Sequence, residues 1–188
     1  MRIIAERITN SLAARKIVPY EDKELYVYGF HQGFLFLINI LTIFLIGYAY
    51  GMMMESLAFL LAYMPLRSYA GGYHANTPFR CYVLSIPVII AALAVIRSPF
   101  WNVSAAVLVM ILVAVVIIVL APVEDPNKPL DAQEKSVYKK RTIIILGVLI
   151  VACVLFWLIG QRTISVCVIV AAVVSALMLI VGKVKNAL

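Results

Sequence analysis

One short segment of the sequence holds most of the side chains that could perform covalent chemistry. His74 and Cys81 lie seven residues apart within PLRSYAGGYHANTPFRCYVLS, residues 65–85. A thiolate is a strong nucleophile, and an imidazole can take the thiol proton and return it to a leaving amine. The pair is therefore a candidate for cysteine acyl transfer. Spacing alone leaves open an inert thiol near a histidine with a structural role.

The residues before Cys81 predict that it lies in the first turn of a helix. Thr77 is a typical N-cap residue, and Pro78 is favoured at the first helical position. The positive end of the helix dipole and the neighbouring Arg80 would favour the thiolate form. The sequence thus places a candidate nucleophile at a helix start rather than in an apolar interior.

The glycine pair upstream predicts how His74 could reach that helix start. Gly71 and Gly72 permit a tight turn, which would bring the chain back toward Cys81. Backbone amides near the two glycines, or at the helix start, could stabilise an oxyanion. The choice of a third catalytic residue stays open among Asp22, Glu24, Asn76 and Ser85. His31, Asp22 and Glu24 follow no zinc-ligand spacing with this pair, so we expect no metal and no cofactor.

The rest of the chain is built to lie in a membrane. Hydrophobic residues make up 64% of it and charged residues only 13%, with a mean hydropathy of +1.03. This composition is typical of integral membrane proteins. We predict a single all-α polytopic domain over residues 1–188 with six transmembrane helices, at residues 25–48, 52–66, 79–96, 103–121, 142–160 and 163–182.

The N-terminal residues 1–18 predict an amphipathic helix lying in the membrane interface. Apolar residues recur there at helical spacing between charged ones, namely Ile3, Ile4, Ile8 and Leu12. No apolar core of a secretory signal follows the charges. A partly ordered tail is the alternative interpretation.

Charge placement predicts the orientation. Six spans put both termini, the loop 67–80 and the loop 122–141 on one side, which holds all 16 Lys and Arg residues except Arg97 and Arg162. The positive-inside rule makes that side cytoplasmic. All the acidic residues except Glu55 share it, so the net charge of +7 forms no continuous basic surface. We therefore expect no nucleic acid partner.

Several other residues allow two interpretations. Cys153 and Cys167 lie in apolar spans and are expected to be packing residues. Glu55 lies near the outer end of the second span, where it either reaches the interface or forms part of a peptide passage. His31 is expected either to form a polar contact within the bundle or to lie near the active site. Small residues in the last three spans leave a homodimer open.

Three stretches together resemble one known family. LRSYAGGYHANTPFRCY, with IVPYEDKELYVYGF before it and APVEDPNKPLDAQEK after it, is similar to accessory gene regulator protein B, AgrB, over most of the chain. Members are membrane endopeptidases that process quorum-sensing pro-peptides in Gram-positive bacteria. The resemblance implies that His74 and Cys81 are the catalytic pair and that Arg67 corresponds to the arginine opening the family segment.

The resemblance also implies a substrate and a mechanism. The substrate would be an AgrD-like pro-peptide with an amphipathic leader, a central signal segment and an acidic tail. Cys81 would attack the carbonyl before the tail, and an internal thiol or hydroxyl would then close a thiolactone or lactone ring. We expect membrane lipid to position the leader and basic residues to attract the tail, namely Arg67, Arg80, Lys139, Lys140 and Arg141. The rival hypothesis is a non-enzymatic transporter or exporter of a small peptide.

Overall fold

The structure, a computed structural model, describes residues 2–15, 17–73, 75, 77–124 and 130–187. The prediction of an all-α fold is confirmed over these residues, which form seven α-helices, one 3-10 turn at Tyr20–Asp22 and one isolated β-bridge. The helices are α1 (Arg2–Ala14), α2 (Lys23–Ala49), α3 (Met53–Ala70), α4 (Pro78–Ile96), α5 (Val103–Leu120), α6 (Ala132–Leu158) and α7 (Arg162–Ala187).

The protein is a multi-pass membrane protein. Among the described residues, five helices are long and apolar enough to cross a bilayer, namely α2 with the turn before it, α4, α5, α6 and α7. α3 is not one of them, so the sixth span stays a prediction. With 18 residues, α3 is nevertheless about 27 Å long, close to the thickness of about 30 Å of a hydrocarbon core.

Two boundaries differ from the prediction. The fifth span was expected to begin at residue 142, but α6 begins at Ala132 after a capping box. Asp131 Oδ1 accepts the Glu134 N–H at 2.6 Å, and Glu134 Oε2 accepts the Asp131 N–H at 3.2 Å. These bonds satisfy amides at the helix start, so the helix extends beyond its apolar part. The loop expected over 67–80 is shorter as well, because α3 continues through Arg67.

Residues up to Thr42 form a first compact unit. On α1, Arg2 pairs with Glu6 at 3.0 Å, and Thr9 Oγ1 donates to the carbonyl of Ala5 at 2.9 Å. Ile3 and Ile4 are exposed, as an apolar helix face directed at lipid requires. The interfacial position of α1 stays a prediction.

From Ile43 onward the chain forms a second unit, in which α7 is the central helix. α3, α4, α5 and α6 all contact α7, whose middle is buried around its whole circumference. Small side chains let these helices approach closely, namely Ala171, Ala172, Ser175, Ala176 and Gly182. Aliphatic side chains on the outer faces of α5 and α6 remain exposed, so lipid must cover them.

α3 connects the two ends of this second unit. Glu55 in its first turn lines a cavity together with Arg97 after α4 and Arg162 at the start of α7. At the other end, the carbonyl of Ala70 accepts the N–H of Val123 at 3.0 Å. The segment that follows α3 therefore lies where α5 ends and α4 begins.

Candidate active site

The polar segment after α3 begins at the glycine pair. Gly71 has a φ of 75° and Gly72 a φ of 117°, conformations that residues with a Cβ rarely adopt. The N–H of Gly71 closes α3 by donating to the carbonyl of Arg67 at 3.2 Å. The chain turns sharply out of the helix here, as the sequence predicts.

Arg67 lies in the last turn of α3 and holds the residues that follow it. Its Nη1 donates to the carbonyl of Gly71, and its Nη2 donates to the carbonyl of Tyr73. A planar guanidinium can bond two carbonyls in this way, which a point charge such as an ammonium cannot do with fixed geometry. Arg67 was expected to bind substrate, but its contacts in the structure are with the chain itself.

α7 packs directly against the same residues. The N–H of Tyr73 donates to the carbonyl of Met178 at 2.8 Å. A Cβ added at Gly182 would lie 2.6 Å from the Tyr73 nitrogen and 2.7 Å from the Gly72 carbonyl carbon. Glycine at 182 is therefore required for this close approach. Lys185 Nζ also lies 5.2 Å from the centroid of the Tyr73 ring.

The chain beyond α5 supplies a third contact. The N–H of Gly72 donates to the carbonyl of Val123 at 3.3 Å, beside the bond from Val123 to Ala70. We call residues Gly71–Tyr73 the anchored segment, because α3, α7 and Val123 all hold it. Both glycine amides donate to carbonyls within the protein. The expected oxyanion contact of these amides stays a prediction.

Cys81 lies in the opening turn of α4, and the predicted N-cap is confirmed. Thr77 Oγ1 accepts the N–H of Arg80 at 3.3 Å, and the carbonyl of Thr77 accepts the N–H of Cys81 at 3.1 Å. Cys81 is half-buried and its thiol is reduced, while Arg80 is exposed. The thiol therefore lies at the positive end of the α4 dipole and stays reachable from outside.

Tyr63 is a residue near the thiol that the sequence analysis missed. It lies one helical turn before Arg67 on α3 and close enough to Cys81 for an electrostatic interaction. Its ring stacks on Phe59 with centroids 5.4 Å apart. The sequence signal was its spacing of four residues from Arg67, which puts both on one helix face.

His74, the expected partner of Cys81, lies outside the described residues, and so does Asn76. The residue before His74 is Tyr73, whose N–H and carbonyl are both hydrogen-bonded. The residue after Asn76 is Thr77, the N-cap of α4. The chain is thus anchored on both sides of the short stretch that contains the predicted base.

The other predicted catalytic candidates remain predictions. Asp22, Glu24 and His31 belong to the N-terminal unit, so their relation to the thiol stays a prediction. Ser85, one turn after Cys81, donates its hydroxyl to the carbonyl of Tyr82 at 2.7 Å. Within the described ranges, no three His, Cys, Asp or Glu side chains lie close enough to hold a metal ion.

The basic residues expected to attract an acidic tail fall into two groups. Arg141 donates to the hydroxyl of Tyr69 at 3.1 Å and lies 5.1 Å from its ring centroid, so it is engaged, as Arg67 is. Three of them, Arg80, Lys139 and Lys140, are exposed and take part in neither of the two ion pairs found among the described residues. These three are the structure's candidates for contact with an acidic peptide.

Glu124 joins the helix ends around this region. Its carboxylate pairs with Lys135 Nζ at 2.7 Å and accepts the N–H of Leu130 at 3.0 Å, and its carbonyl accepts Asn186 Nδ2 at 2.7 Å. The hydrogen bond from Lys135 is the main reason that the pKa of Glu124 lies below its ordinary value. Glu124 thus connects the chain after α5 to α6 and α7.

The two remaining cysteines are buried in the bundle, where packing was expected. Cys153 Sγ lies 3.0 Å from Ser165 Oγ, which donates to the carbonyl of Cys153 at 2.7 Å. Cys167 is fully buried on α7. Both thiols are thus enclosed, unlike that of Cys81.

Comparison with known proteins identifies the family. The family model for accessory gene regulator B matches residues 5–180. An AgrB-like protein of Clostridium perfringens strain SM101 is 28% identical over 171 residues, 85% of this chain and 78% of that protein. AgrB-like protein 2 of Clostridium perfringens strain 13 is 29% identical over 74% of this chain and 67% of its own length. Protein FsrB of Enterococcus faecalis strain OG1RF is 30% identical over 64% of this chain and 50% of its own length. No solved structure matches. With the match extending over nearly its whole length, the chain belongs to the accessory gene regulator B family.

Proposed function

We propose that this protein is a membrane cysteine endopeptidase that removes the C-terminal tail of a quorum-sensing pro-peptide and promotes ring closure. The family match over residues 5–180 supports the quorum-sensing role. The observation that carries the enzymatic proposal is the half-buried thiol of Cys81 at the capped start of α4. Tyr63 lies near this thiol and one helical turn before Arg67, which holds the anchored segment.

The reaction proceeds through a thioester. Cys81 Sγ attacks the carbonyl that joins the signal segment to the tail, forming a C–S bond, and the C–N bond to the tail breaks. The thiol proton passes to His74 and from there to the leaving amine. A thiol of the substrate then attacks the thioester, giving a thiolactone and returning Cys81 as the leaving thiolate, which takes up the proton. A substrate serine would give a lactone by the same steps.

The anchored segment would determine the position of the base. Tyr73 is fixed through its N–H and carbonyl, and His74 is the next residue in the chain. A base must lie within hydrogen-bond reach of its nucleophile, and a displacement of about 1 Å can cost about a hundredfold in rate. Arg67, Gly72 and Gly182 are therefore positioning residues for His74 rather than groups that contact the substrate.

The oxyanion contact has a candidate donor besides the glycine amides. The N–H groups of Gly71, Gly72 and Cys81 all donate within the protein. Tyr63 is a candidate side-chain donor, because it lies one helical turn before Arg67 on α3 and close to Cys81. We assign it to stabilising the tetrahedral intermediate, because hydroxyl donors at such sites stabilise developing negative charge.

Membrane topology follows from treating α3 as a sixth span. α3 runs between the two ends of the unit that contains the α4, α5, α6 and α7 spans, although its own hydropathy is lower. Its buried contacts with α7 compensate for polar residues that lipid would not accept. Six spans place both termini, the anchored segment and Cys81 at the cytoplasmic face of the bacterial membrane.

Substrate recognition would combine the membrane with charge. A leader helix on the inner leaflet confines the pro-peptide to the plane of Cys81. The acidic tail would be attracted by the exposed Arg80, Lys139 and Lys140. Because exposed charges are screened, replacing these residues should weaken binding more at low than at high ionic strength.

The test is intact mass analysis of the reconstituted protein with its cognate pro-peptide. Wild type should release the tail and form a dehydrated ring, or hold a covalent adduct on Cys81, whereas Cys81→Ala and His74→Ala should do neither. Cys153→Ala is the matched control, since it removes a thiol that lies inside the bundle. Cleavage by Cys81→Ala at the wild-type rate would refute the mechanism.

A polar cavity beside Glu55, at the opposite end of α3, favours peptide transport as the second candidate function. The variant Cys81→Ser distinguishes the two. A transporter should tolerate a hydroxyl in place of the thiol, whereas the peptidase should lose most of its activity, because a serine hydroxyl is a far weaker nucleophile without a strong base.

A further inference from the structure

A second polar site lies at the end of the bundle opposite to Cys81. Three chain connections meet there, those between α2 and α3, between α4 and α5, and between α6 and α7, and they line an open cavity of about 650 Å³. Its polar lining includes Glu55, Arg97, Ser98, Arg162 and Thr163. The proposed peptidase chemistry uses none of these residues.

The cavity brings together charges that the sequence keeps far apart. Arg97 and Arg162 are the two basic residues that charge placement assigns to the outer side, and Glu55 is the one acidic residue there. All three line the same cavity. Two guanidiniums and one carboxylate give it a formal charge of +1, with both signs facing one space.

Neither arginine forms a direct ion pair with the carboxylate of Glu55. In the part of the chain that the structure describes, the ion pairs within 4.0 Å are Arg2–Glu6 and Lys135–Glu124. Arg162 instead lies 5.9 Å from the centroid of the Trp157 ring. Opposite charges that share a cavity without touching each other are suited to a ligand that carries both signs.

Hydrogen bonds within the protein fix the walls of the cavity. The N–H of Met52 donates to the carbonyl of Gly47 at 2.7 Å, and Ser56 Oγ donates to the carbonyl of Met52 at 2.7 Å. Trp101 Nε1 donates to the carbonyl of Val95 at 2.8 Å, which holds the indole at the rim. Preorganised walls lower the cost of binding a ligand.

The position of the cavity along the helices indicates which kind of ligand can reach it. The cavity lies at the ends of α4 and α7, two of the helices able to cross a membrane. Tyr50 and Trp101 in its lining are typical of the headgroup level of a bilayer. Phospholipid headgroups are the most concentrated charged groups at that depth. Basic pockets between membrane helices bind their phosphates.

We propose that this cavity binds a phospholipid headgroup that carries both a phosphate and a primary ammonium group, as phosphatidylethanolamine does. Arg97 and Arg162 bind the phosphate, since guanidinium matches phosphate geometry. Glu55 binds the ammonium group. The bound headgroup joins the starts of α3 and α7 to the end of α4, at the end of these helices opposite to the anchored segment.

The experiment is native mass spectrometry of the delipidated full-length protein, titrated with phosphatidylethanolamine or phosphatidylglycerol of identical acyl chains. Wild type should retain the ethanolamine lipid in preference. Glu55→Gln should lower the ratio of ethanolamine to glycerol lipid about tenfold, the loss expected for one charge-assisted hydrogen bond, and Glu55→Asp should restore most of it. Arg97→Gln and Arg162→Gln should lower retention of both lipids about tenfold each.

Controls separate this site from general effects. Lys183→Gln removes one positive charge, as the two arginine variants do, from an exposed residue near the other end of α7. It should leave the retention of both lipids unchanged. Equal retention of the two lipids by wild type, or an unchanged ratio in Glu55→Gln, would overturn the proposal. So would displacement of the lipid by equimolar glycerophosphoethanolamine, because the site would then take the soluble phosphoamine. Thermal unfolding of every variant shows that it is folded before its lipid binding is compared.

Discussion

Gly182→Ala is the sharpest test of the close packing between α7 and the anchored segment. The added Cβ would lie 2.6 Å from the nitrogen of Tyr73, and 2.7 and 3.0 Å from the carbonyl carbon and Cα of Gly72. Ordinary contact begins near 3.4 Å, so the backbones must separate by about 0.8 Å. All three contacts are backbone atoms, which cannot rotate away as a flexible side chain would.

The cost follows from that displacement. Overpacking of this kind destabilises by about 1–3 kcal/mol. It also stretches the bond from Tyr73 to Met178, worth about 0.5–1.5 kcal/mol. Alanine is the better helix former by about 1 kcal/mol, which offsets part of the loss. Because His74 follows Tyr73 directly, we expect tail release to slow by roughly tenfold to a hundredfold, more than the loss of folded protein explains.

The assay is single-turnover tail release from the pro-peptide in liposomes, with thermal unfolding measured on the same preparations. Gly147→Ala is the matched control, because it makes the same change in helix α6 where no atom lies within 4 Å of the new Cβ. It should cleave as wild type does and be equally stable or slightly more so. Wild-type cleavage and stability in Gly182→Ala would refute the packing argument, and equal losses in both variants would refute its specificity.

Three further predictions concern the residues around the site. Arg67→Lys should lower kcat at least about tenfold with little change in KM, since an ammonium cannot hold both carbonyls; a raised KM with unchanged kcat would instead assign Arg67 to the substrate tail. Tyr63→Phe should lower kcat by about tenfold to a hundredfold without changing the midpoint of thermal unfolding, because the stacked ring remains, and an unchanged kcat would exclude the hydroxyl from the reaction. Because the pKa of Glu124 is lowered in the folded protein, its contribution to stability is present above the ordinary carboxyl pKa and is lost as the pH falls through the folded pKa. Glu124→Gln and Lys135→Gln should each therefore weaken the dependence of the thermal unfolding midpoint on pH. An unaltered pH dependence in both variants would contradict the pairing.

The local signals in the sequence predicted the local structure around Cys81. Thr77 and Pro78 indicated the start of α4, and the structure confirms the cap. The capping box of Asp131 and Glu134 was equally local, but a search for apolar stretches alone placed the helix start ten residues too late. Polar helix starts therefore have to be sought from caps as well as from hydropathy.

The long-range contacts of the site could not be obtained in this way. Arg67 was interpreted as a ligand for the substrate, because a charge in an expected loop gave no indication of the carbonyls it bonds. Met178 and Gly182 lie about a hundred residues after the segment they contact, and glycine in an apolar helix is unremarkable in a membrane protein. Only the packing of α7 against the anchored segment gives these residues a role.

The central place of α7 also bears on when the protein becomes active during synthesis. The ribosome makes α3, the anchored segment and α4 long before α7, and chains fold from their N-terminal parts as they emerge. Until α7 has entered the membrane, Tyr73 lacks its bond to Met178, and the anchored segment is held only by Arg67 and Val123. Under the proposed mechanism, a nascent chain would carry Cys81 early but would gain the contacts of the anchored segment with α7 late, so newly made protein should not cleave substrate before its helices have assembled.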